Sequence, residues 1–222
     1  MRRGRPILYR AGQYEAAMNA GAASADAAWA ALAWASLRDV PCRECLKRAE
    51  DVARRAIVQA PRNPHAYVAL VAVIGFEARL AGMLAARRAR YAEQAKDAAD
   101  KALALAPNDP WALAAMGGWH LEVLRLAGRV AGALVYGARY DAGVDYLERA
   151  AAAAPDDPVV QLNVALSLSS YRFERGRVAA EAALAAASRG NPGDAYGEAM
   201  KTRAGNLLQL LRQDKRDGYL AL

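Results

Sequence analysis

Small and apolar residues recur at intervals of three and four along most of the chain. Three stretches carry the pattern: Ala49, Val52, Ala53 and Ala56; Ala95, Ala98, Ala99 and Ala102; Val144, Leu147 and Ala151. Because an α-helix has 3.6 residues per turn, this spacing places the small residues on one side of a helix. The pattern therefore predicts amphipathic helices that pack through one face, and alanine at the packing positions lets neighbouring helices approach closely.

A frame of two prolines and a glycine recurs three times and divides the chain into units. Its members are Pro61, Pro64 and Gly82; Pro107, Pro110 and Gly128; Pro155, Pro158 and Gly176. Proline is tolerated at the first position of a helix, and glycine supplies the left-handed conformation that ends one. The frame predicts that each unit opens with a helix of about five turns running from the second proline to the glycine. A second helix then closes each unit.

Composition narrows the fold class and the domain organisation. Alanine accounts for 57 of the 222 residues, and Thr202 is the only threonine. Alanine favours helices, whereas β-branched residues favour strands, so we expect an all-α fold. We expect one domain over residues 1–222, with N-terminal helices in 1–40, repeat helices in 41–190, and a capping helix and tail in 191–222. In the capping helix, Leu207, Leu208 and Leu211 should face inward, and Lys201, Arg203 and Arg212 outward.

These units resemble the tetratricopeptide (TPR) repeat family. The matches are the small packing residues and closing prolines of the second helices, namely Ala49, Ala56 and Pro61; Ala95, Ala102 and Pro107; Ala150 and Pro155; together with the family glycine at Gly117. The resemblance implies an α-solenoid of antiparallel helix pairs. The units differ from the family in length, since they are 46 and 48 residues long and carry extra residues at 83–90 and 129–139.

A narrower resemblance covers residues 111–155. Trp119, His120 and Glu122, followed by Tyr136 and Leu147, look like the TPR subgroup that includes the regulator of microtubule dynamics proteins and their bacterial relatives. Eukaryotic members are described as adaptors and some as lipid-binding modules. The resemblance thus implies a binding protein and assigns no function to particular residues.

In a TPR-like stack the opening helices line a concave groove. The resemblance places the following candidate binding residues there: His65, Phe76, Arg79, Trp111, Gly118, Glu122, Arg125, Leu166 and Phe173. Arg79 and Arg125 occupy the same repeat position, and two adjacent guanidinium groups attract a carboxylate or phosphate. Alternatively, Arg125 pairs with Glu122 one turn earlier, and Arg79 pairs with Glu77 or another carboxylate.

The sequence contains no convincing catalytic or metal site. His120 and Glu122 are two residues apart, so on a helix they point in different directions and cannot share a ligand. Cys42 and Cys45 open a helix, and we consider three roles for them: small packing residues, a disulfide, or an intermolecular metal or redox pair. Two cysteines cannot complete a zinc site alone. We expect no enzyme activity, no cofactor and no metal.

The remaining expectations concern partners and compartment. The formal charge is +7, and its clusters include Arg2, Arg3 and Arg5 as well as Arg87, Arg88 and Arg90. Such clusters bind phosphates or anionic headgroups, or form a solvated surface, and no nucleic-acid motif accompanies them. Apolar runs are too short to span a bilayer. We expect a cytoplasmic protein, or a periplasmic one if a signal peptide was removed. It should bind a protein or peptide in the groove; the alternative is a carrier or sensor of an amphipathic, anionic acyl ligand.

Overall fold

The computed structural model describes residues 8–20, 24–38 and 42–214. Helix accounts for 83% of these residues, and this part of the chain contains no strand. The prediction of an all-α fold is therefore confirmed. The arginines at positions 2, 3 and 5 and the tail at 215–222 lie outside the described residues.

The helices follow one another with short connections. In chain order they are α1 (Tyr14–Asn19), α2 (Ala25–Ser36), α3 (Arg43–Gln59), α4 (Pro64–Ala81), α5 (Met83–Arg88), α6 (Tyr91–Leu105), α7 (Pro110–Ala127), α8 (Arg129–Tyr136), α9 (Tyr140–Ala153), α10 (Pro158–Tyr171), α11 (Phe173–Arg189) and α12 (Ala195–Arg212). Helix α4 is long and apolar enough to cross a membrane by length and composition alone, but 44% of it is buried inside the fold. Helix α4 contacts α2, α3, α6 and α7.

The frame of prolines correctly predicts where the opening helices begin. Helices α4, α7 and α10 each have proline in the first turn. The residue before each proline, Asn63, Asp109 or Asp157, accepts a hydrogen bond from a backbone N–H group of that turn. This cap satisfies a donor that the helix itself leaves unpaired, while proline lacks the N–H that would need a partner.

Two of the three frame glycines end helices as predicted. Gly82 and Gly128 follow α4 and α7 with φ of +76° and +79°, a region that glycine enters without steric cost. The extra residues after them form the short helices α5 and α8 and not an irregular turn. These inserts account for most of the extra residues at 83–90 and 129–139.

The third frame glycine has a different role, and the predicted end of its helix is wrong. Helix α10 stops at Tyr171, and Gly176 lies inside α11. A Cβ atom on Gly176 would lie only 2.0 Å from the carbonyl oxygen of Leu168. Glycine is required here because α10 and α11 approach closely, and not because a helix ends.

Each opening helix packs against the helix that closes its unit and against the next opening helix. Contacts pair α2 with α3, α4 with α6, α7 with α9 and α10 with α11, and they also join α2 to α4, α4 to α7 and α7 to α10. The small residues that predicted this packing, including Ala49, Ala56, Ala95, Ala102 and Ala150, are buried. Helix packing therefore follows the order of the repeats along the chain.

The C-terminal helix α12 covers the last unit and also reaches the first helices. Leu207, Leu208 and Leu211 are buried against α10 and α11, as predicted. At its other end, Tyr196 belongs to the same core cluster as Ala33 of α2. Helix α12 therefore extends from the last unit of the fold to the first.

Candidate functional site

The first turns of the opening helices are joined by a repeated contact. His65 Nε2 lies 3.6 Å from Asp109 Oδ2, and Trp111 Nε1 donates to Asp157 Oδ2 at 3.1 Å. In both cases a groove candidate reaches the capping aspartate of the next opening helix. The ring of Trp111 also makes an edge-to-face contact with Trp29, with centroids 4.6 Å apart. His65 and Trp111 therefore hold successive units together, whatever else they contact.

The candidates in the middle and third units are less accessible than the TPR geometry implies. A Cβ atom on Gly118 would lie 3.1 Å from Ser167 Oγ, so α7 and α10 nearly touch at this position. Leu166 is half-buried against the core cluster that includes α12. Phe173 is buried at the start of α11. Its placement in a groove wall is wrong, because α10 ends before it and the ring packs into the core.

The far ends of α4 and α7 carry the polar part of the predicted groove. Arg125 holds Glu122 with two hydrogen bonds, Nε to Oε2 at 2.8 Å and Nη2 to Oε1 at 2.7 Å. Arg79 approaches the same carboxylate from the neighbouring helix, with Nη1 4.0 Å from Oε1. Its guanidinium group lies over the ring of Phe76 at 4.9 Å. The two arginines are thus neighbours, as their equal repeat positions predicted, and they share Glu122.

The electrostatics of this cluster leave it positively charged. Burial opposes ionisation of Glu122, but the hydrogen bonds from Arg125 and the charges of both arginines lower its pKa overall. Partial burial lowers the pKa of Arg79; the charge of Glu122 opposes this effect, and the charges of Arg125 and Arg203 add to it. Arg203 belongs to α12, and its charge acts on Arg79, so arginines of three helices influence one another near Glu122. Such an arrangement attracts a further anion.

The start of helix α12 lies close to the N-terminal segment. Burial and the negative charge of Asp194 raise the pKa values of Tyr9 and Tyr14, that of Tyr14 to about 12. A Cβ atom on Gly12 would lie 3.2 Å from Cβ of Ala195. These contacts place the start of α12 against the N-terminal segment. Of the nine candidate binding residues, Arg79 and Arg125 at the ends of α4 and α7 are the exposed ones.

The two cysteines are joined at the start of α3. Cys42 and Cys45 form a disulfide, and the Sγ atom of Cys42 also accepts a hydrogen bond from the backbone N–H of Cys45 at 3.1 Å. Cys42 thereby caps the helix. Of the three roles considered for the pair, the structure shows the disulfide.

His120 is buried between α7 and α9. Its Nδ1 accepts a hydrogen bond from the backbone N–H of Arg139 at 3.1 Å, and its ring stacks on that of Tyr146. Burial, followed by the charges of Lys96 and Arg139, lowers its pKa to about 4. His120 is therefore neutral near pH 7 and holds the start of the closing helix. Within the described ranges, no group of three or more His, Cys, Asp or Glu side chains could hold a metal ion.

Sequence reasoning missed a pair of carboxylates between α3 and α4. Burial, the charge of Glu50 and a hydrogen bond that protonated Glu77 donates to Glu50 raise the pKa of Glu77 to about 7. Arg54 pairs with Glu50 and opposes this effect. Glu77 had been considered only as a partner for Arg79. The two carboxylates lie 27 positions apart in the sequence, and no local pattern indicates that they meet.

The similarity to a known protein family covers nearly all of the helices described above. A sequence profile described as regulator of microtubule dynamics protein 1-3 matches residues 15–210. The chain belongs to the regulator of microtubule dynamics protein 1-3 family. The match extends from α1 almost to the end of α12, so the inserts α5 and α8 and the C-terminal helix are all within the region that resembles the family. Searches of curated proteins and of solved structures gave no match.

Proposed function

We propose that this chain is a non-enzymatic adaptor with a TPR-like α-solenoid fold, and that it binds an acidic peptide or protein segment. The repeated frame and the packing of each opening helix against the next support the solenoid. Stacked helix pairs of this kind present an extended surface to a partner. The binding surface we propose is the accessible end of α4 and α7.

The observation that carries this proposal is the exposure of the Arg79 side chain and its long distance from Glu122. Its side chain is 49% exposed, and its distance to Glu122 is too long for a hydrogen bond, whereas Arg125 is fully engaged with that carboxylate. Arg79 therefore retains donors for a partner carboxylate. Phe76 lies beneath the guanidinium group and would contact an apolar side chain next to that carboxylate.

The experiment is a fluorescence-anisotropy titration with a library of acidic-tailed peptides. Replacing Arg79 with Ala should weaken binding about tenfold, since a hydrogen bond to a charged group contributes about 1.5 kcal/mol or more. Replacing Arg125 with Ala should mainly lower the melting temperature, because this residue holds Glu122. Arg62→Ala is the matched control, since Arg62 is exposed in the turn before α4, at the opposite end of that helix. Equal affinities for the Arg79 and Arg62 variants would refute the proposal.

The alternative is a carrier of an amphipathic acyl ligand whose anionic head binds the same arginines. Native mass spectrometry of the purified protein distinguishes the two proposals. A co-purifying acyl ligand that is lost in the Arg79→Ala variant favours the carrier. The compartment stays a prediction: a Cys42–Cys45 disulfide persists in oxidising surroundings, which favours the periplasmic alternative over the cytoplasm.

A further inference from the structure

The short helices α5 and α8 expose an unusual amount of aliphatic surface. Met83 and Leu84 of α5 and Val130, Leu134 and Val135 of α8 are between 57% and 82% exposed. A single exposed aliphatic residue is ordinary on a soluble protein, but five on two short inserted helices form a concentrated apolar surface. Val130 and Leu134 are four residues apart, so they lie on the same side of α8.

Both helices lie at one edge of the molecule. Helix α5 follows the glycine that ends α4, and α8 follows the glycine that ends α7. Helices α4 and α7 are equivalent in the repeat and contact each other. Leu84 and Val130 each stand two residues after that glycine. Since Arg79 near the end of α4 lies 4.0 Å from Glu122 near the end of α7, the two inserts begin at neighbouring points of the fold, each with exposed aliphatic residues.

The two inserts are basic and contain no acidic side chain of their own, although Arg90 pairs with Glu93, and Arg79 and Arg125 share Glu122, beside them. Residues 78–92 contain four arginines and no Asp or Glu, and residues 123–140 contain three arginines and again no acid. Arg87, Arg88, Arg129 and Arg139 are all exposed. Aliphatic side chains thus lie beside cationic ones on the two inserts. This combination is typical of helices that lie at a membrane interface, where the apolar groups enter the headgroup region and the cations contact lipid phosphates.

We propose that the edge formed by α5 and α8 docks on the surface of an anionic lipid bilayer. A second copy of the chain fits this surface poorly, because a symmetric contact would bring the arginines of one copy against those of the other with no acid in either stretch to pair with them. An anionic bilayer offers an apolar interface to the aliphatic side chains and phosphate groups to the arginines. This docking surface adjoins the Arg79 cluster at the same end of α4 and α7, but it is carried by the residues of α5 and α8, so it extends the adaptor proposal and does not depend on it.

The test is flotation of the purified protein with vesicles. It should float with vesicles of phosphatidylcholine and phosphatidylserine in equal parts, and much less with phosphatidylcholine alone. Arg87→Gln combined with Arg88→Gln should lower the partition coefficient about 25-fold, since each basic residue near an anionic surface contributes about fivefold. Leu84→Gln combined with Leu134→Gln should lower it at least about tenfold, because two aliphatic side chains no longer enter the interface.

Matched controls come from the opposite end of the helices. Val58 at the end of α3 is 80% exposed, as Leu84 is, and Val58→Gln should leave flotation unchanged. Arg55→Gln combined with Arg62→Gln removes the same charge as the double variant of α5. It should lower the partition coefficient by far less than 25-fold. Absence of flotation with the anionic vesicles would overturn the proposal, as would equal losses in control and test variants. It would also be overturned if Leu84 and Leu134 instead support a dimer in light scattering.

Discussion

The close approach of α10 and α11 makes Gly176→Ala a demanding test of the packing. The added Cβ would lie 2.0 Å from the carbonyl oxygen of Leu168, and real Cβ atoms essentially never approach another heavy atom closer than 3.0 Å, so one helix must move by at least 1 Å. Neighbouring Phe173 is buried, and any such shift loosens its packing. Overpacking of this kind costs about 1–3 kcal/mol and occasionally more. Because the clash is with a backbone oxygen that cannot rotate away, the upper end of this range applies, about 3 kcal/mol.

The higher helix propensity of alanine partly offsets the loss of stability from overpacking, and a second glycine serves as the control for this effect. Alanine is better than glycine inside a helix by about 1 kcal/mol, so the net loss for Gly176→Ala should be about 2 kcal/mol. That corresponds to a melting temperature lower by about 4–8 °C for a chain of this size. Gly205 lies inside α12, and a Cβ there meets nothing within 4 Å. Gly205→Ala should therefore stabilise the protein by up to about 1 kcal/mol.

Urea unfolding followed by far-UV circular dichroism compares the two variants. We expect the midpoint to fall for Gly176→Ala and to stay level or rise for Gly205→Ala. If both variants are as stable as the parent or more so, α10 and α11 do not approach as closely as described. Gly176 would then be an ordinary helical glycine.

Two further predictions follow from titrating groups, and they have opposite signs. The pKa of Glu77 is raised to about 7 from 4.5, so the folded state holds a proton that the unfolded state releases between these pH values. The free energy of unfolding should therefore fall by about 1–2 kcal/mol as the pH rises from 4.5 to 7, after allowance for solvent screening. Urea midpoints across this range should show the fall, and Glu77→Gln should abolish it; an unchanged slope in the variant would contradict the shared proton with Glu50. Because the pKa of His120 is lowered to about 4 from 6.5, its contribution of about 2–3 kcal/mol is present above pH 6.5 and lost as the pH falls to 4. NMR titration, assigned with His65→Gln, should find His120 titrating near 4, and a value near 6.5 would refute its burial.

The site was predicted in part, because contacts between residues close in sequence or at equal repeat positions can be predicted and other long-range contacts cannot. Arg79 and Arg125 share a repeat position, so their adjacency followed from the frame. The pairing of Arg125 with Glu122 was one of two alternatives, because a helical neighbour three residues away is always within reach. Arg203 was expected to face outward, yet it acts on Arg79 from α12. No periodicity within α12 indicates which helix lies opposite.

The sequence by itself determined the all-α class, the first residues of α4, α7 and α10, and the small residues through which the helices pack. These features depend on local chemistry: a capping side chain before a proline, small residues every three or four positions, and a glycine with positive φ after α4 and α7. Tertiary structure alone decided that Gly176 lies at a helix crossing, that Phe173 enters the core, and that α12 crosses to the first helices. The physical reason is that these three features depend on contacts between different helices, and no local pattern of side chains specifies such contacts.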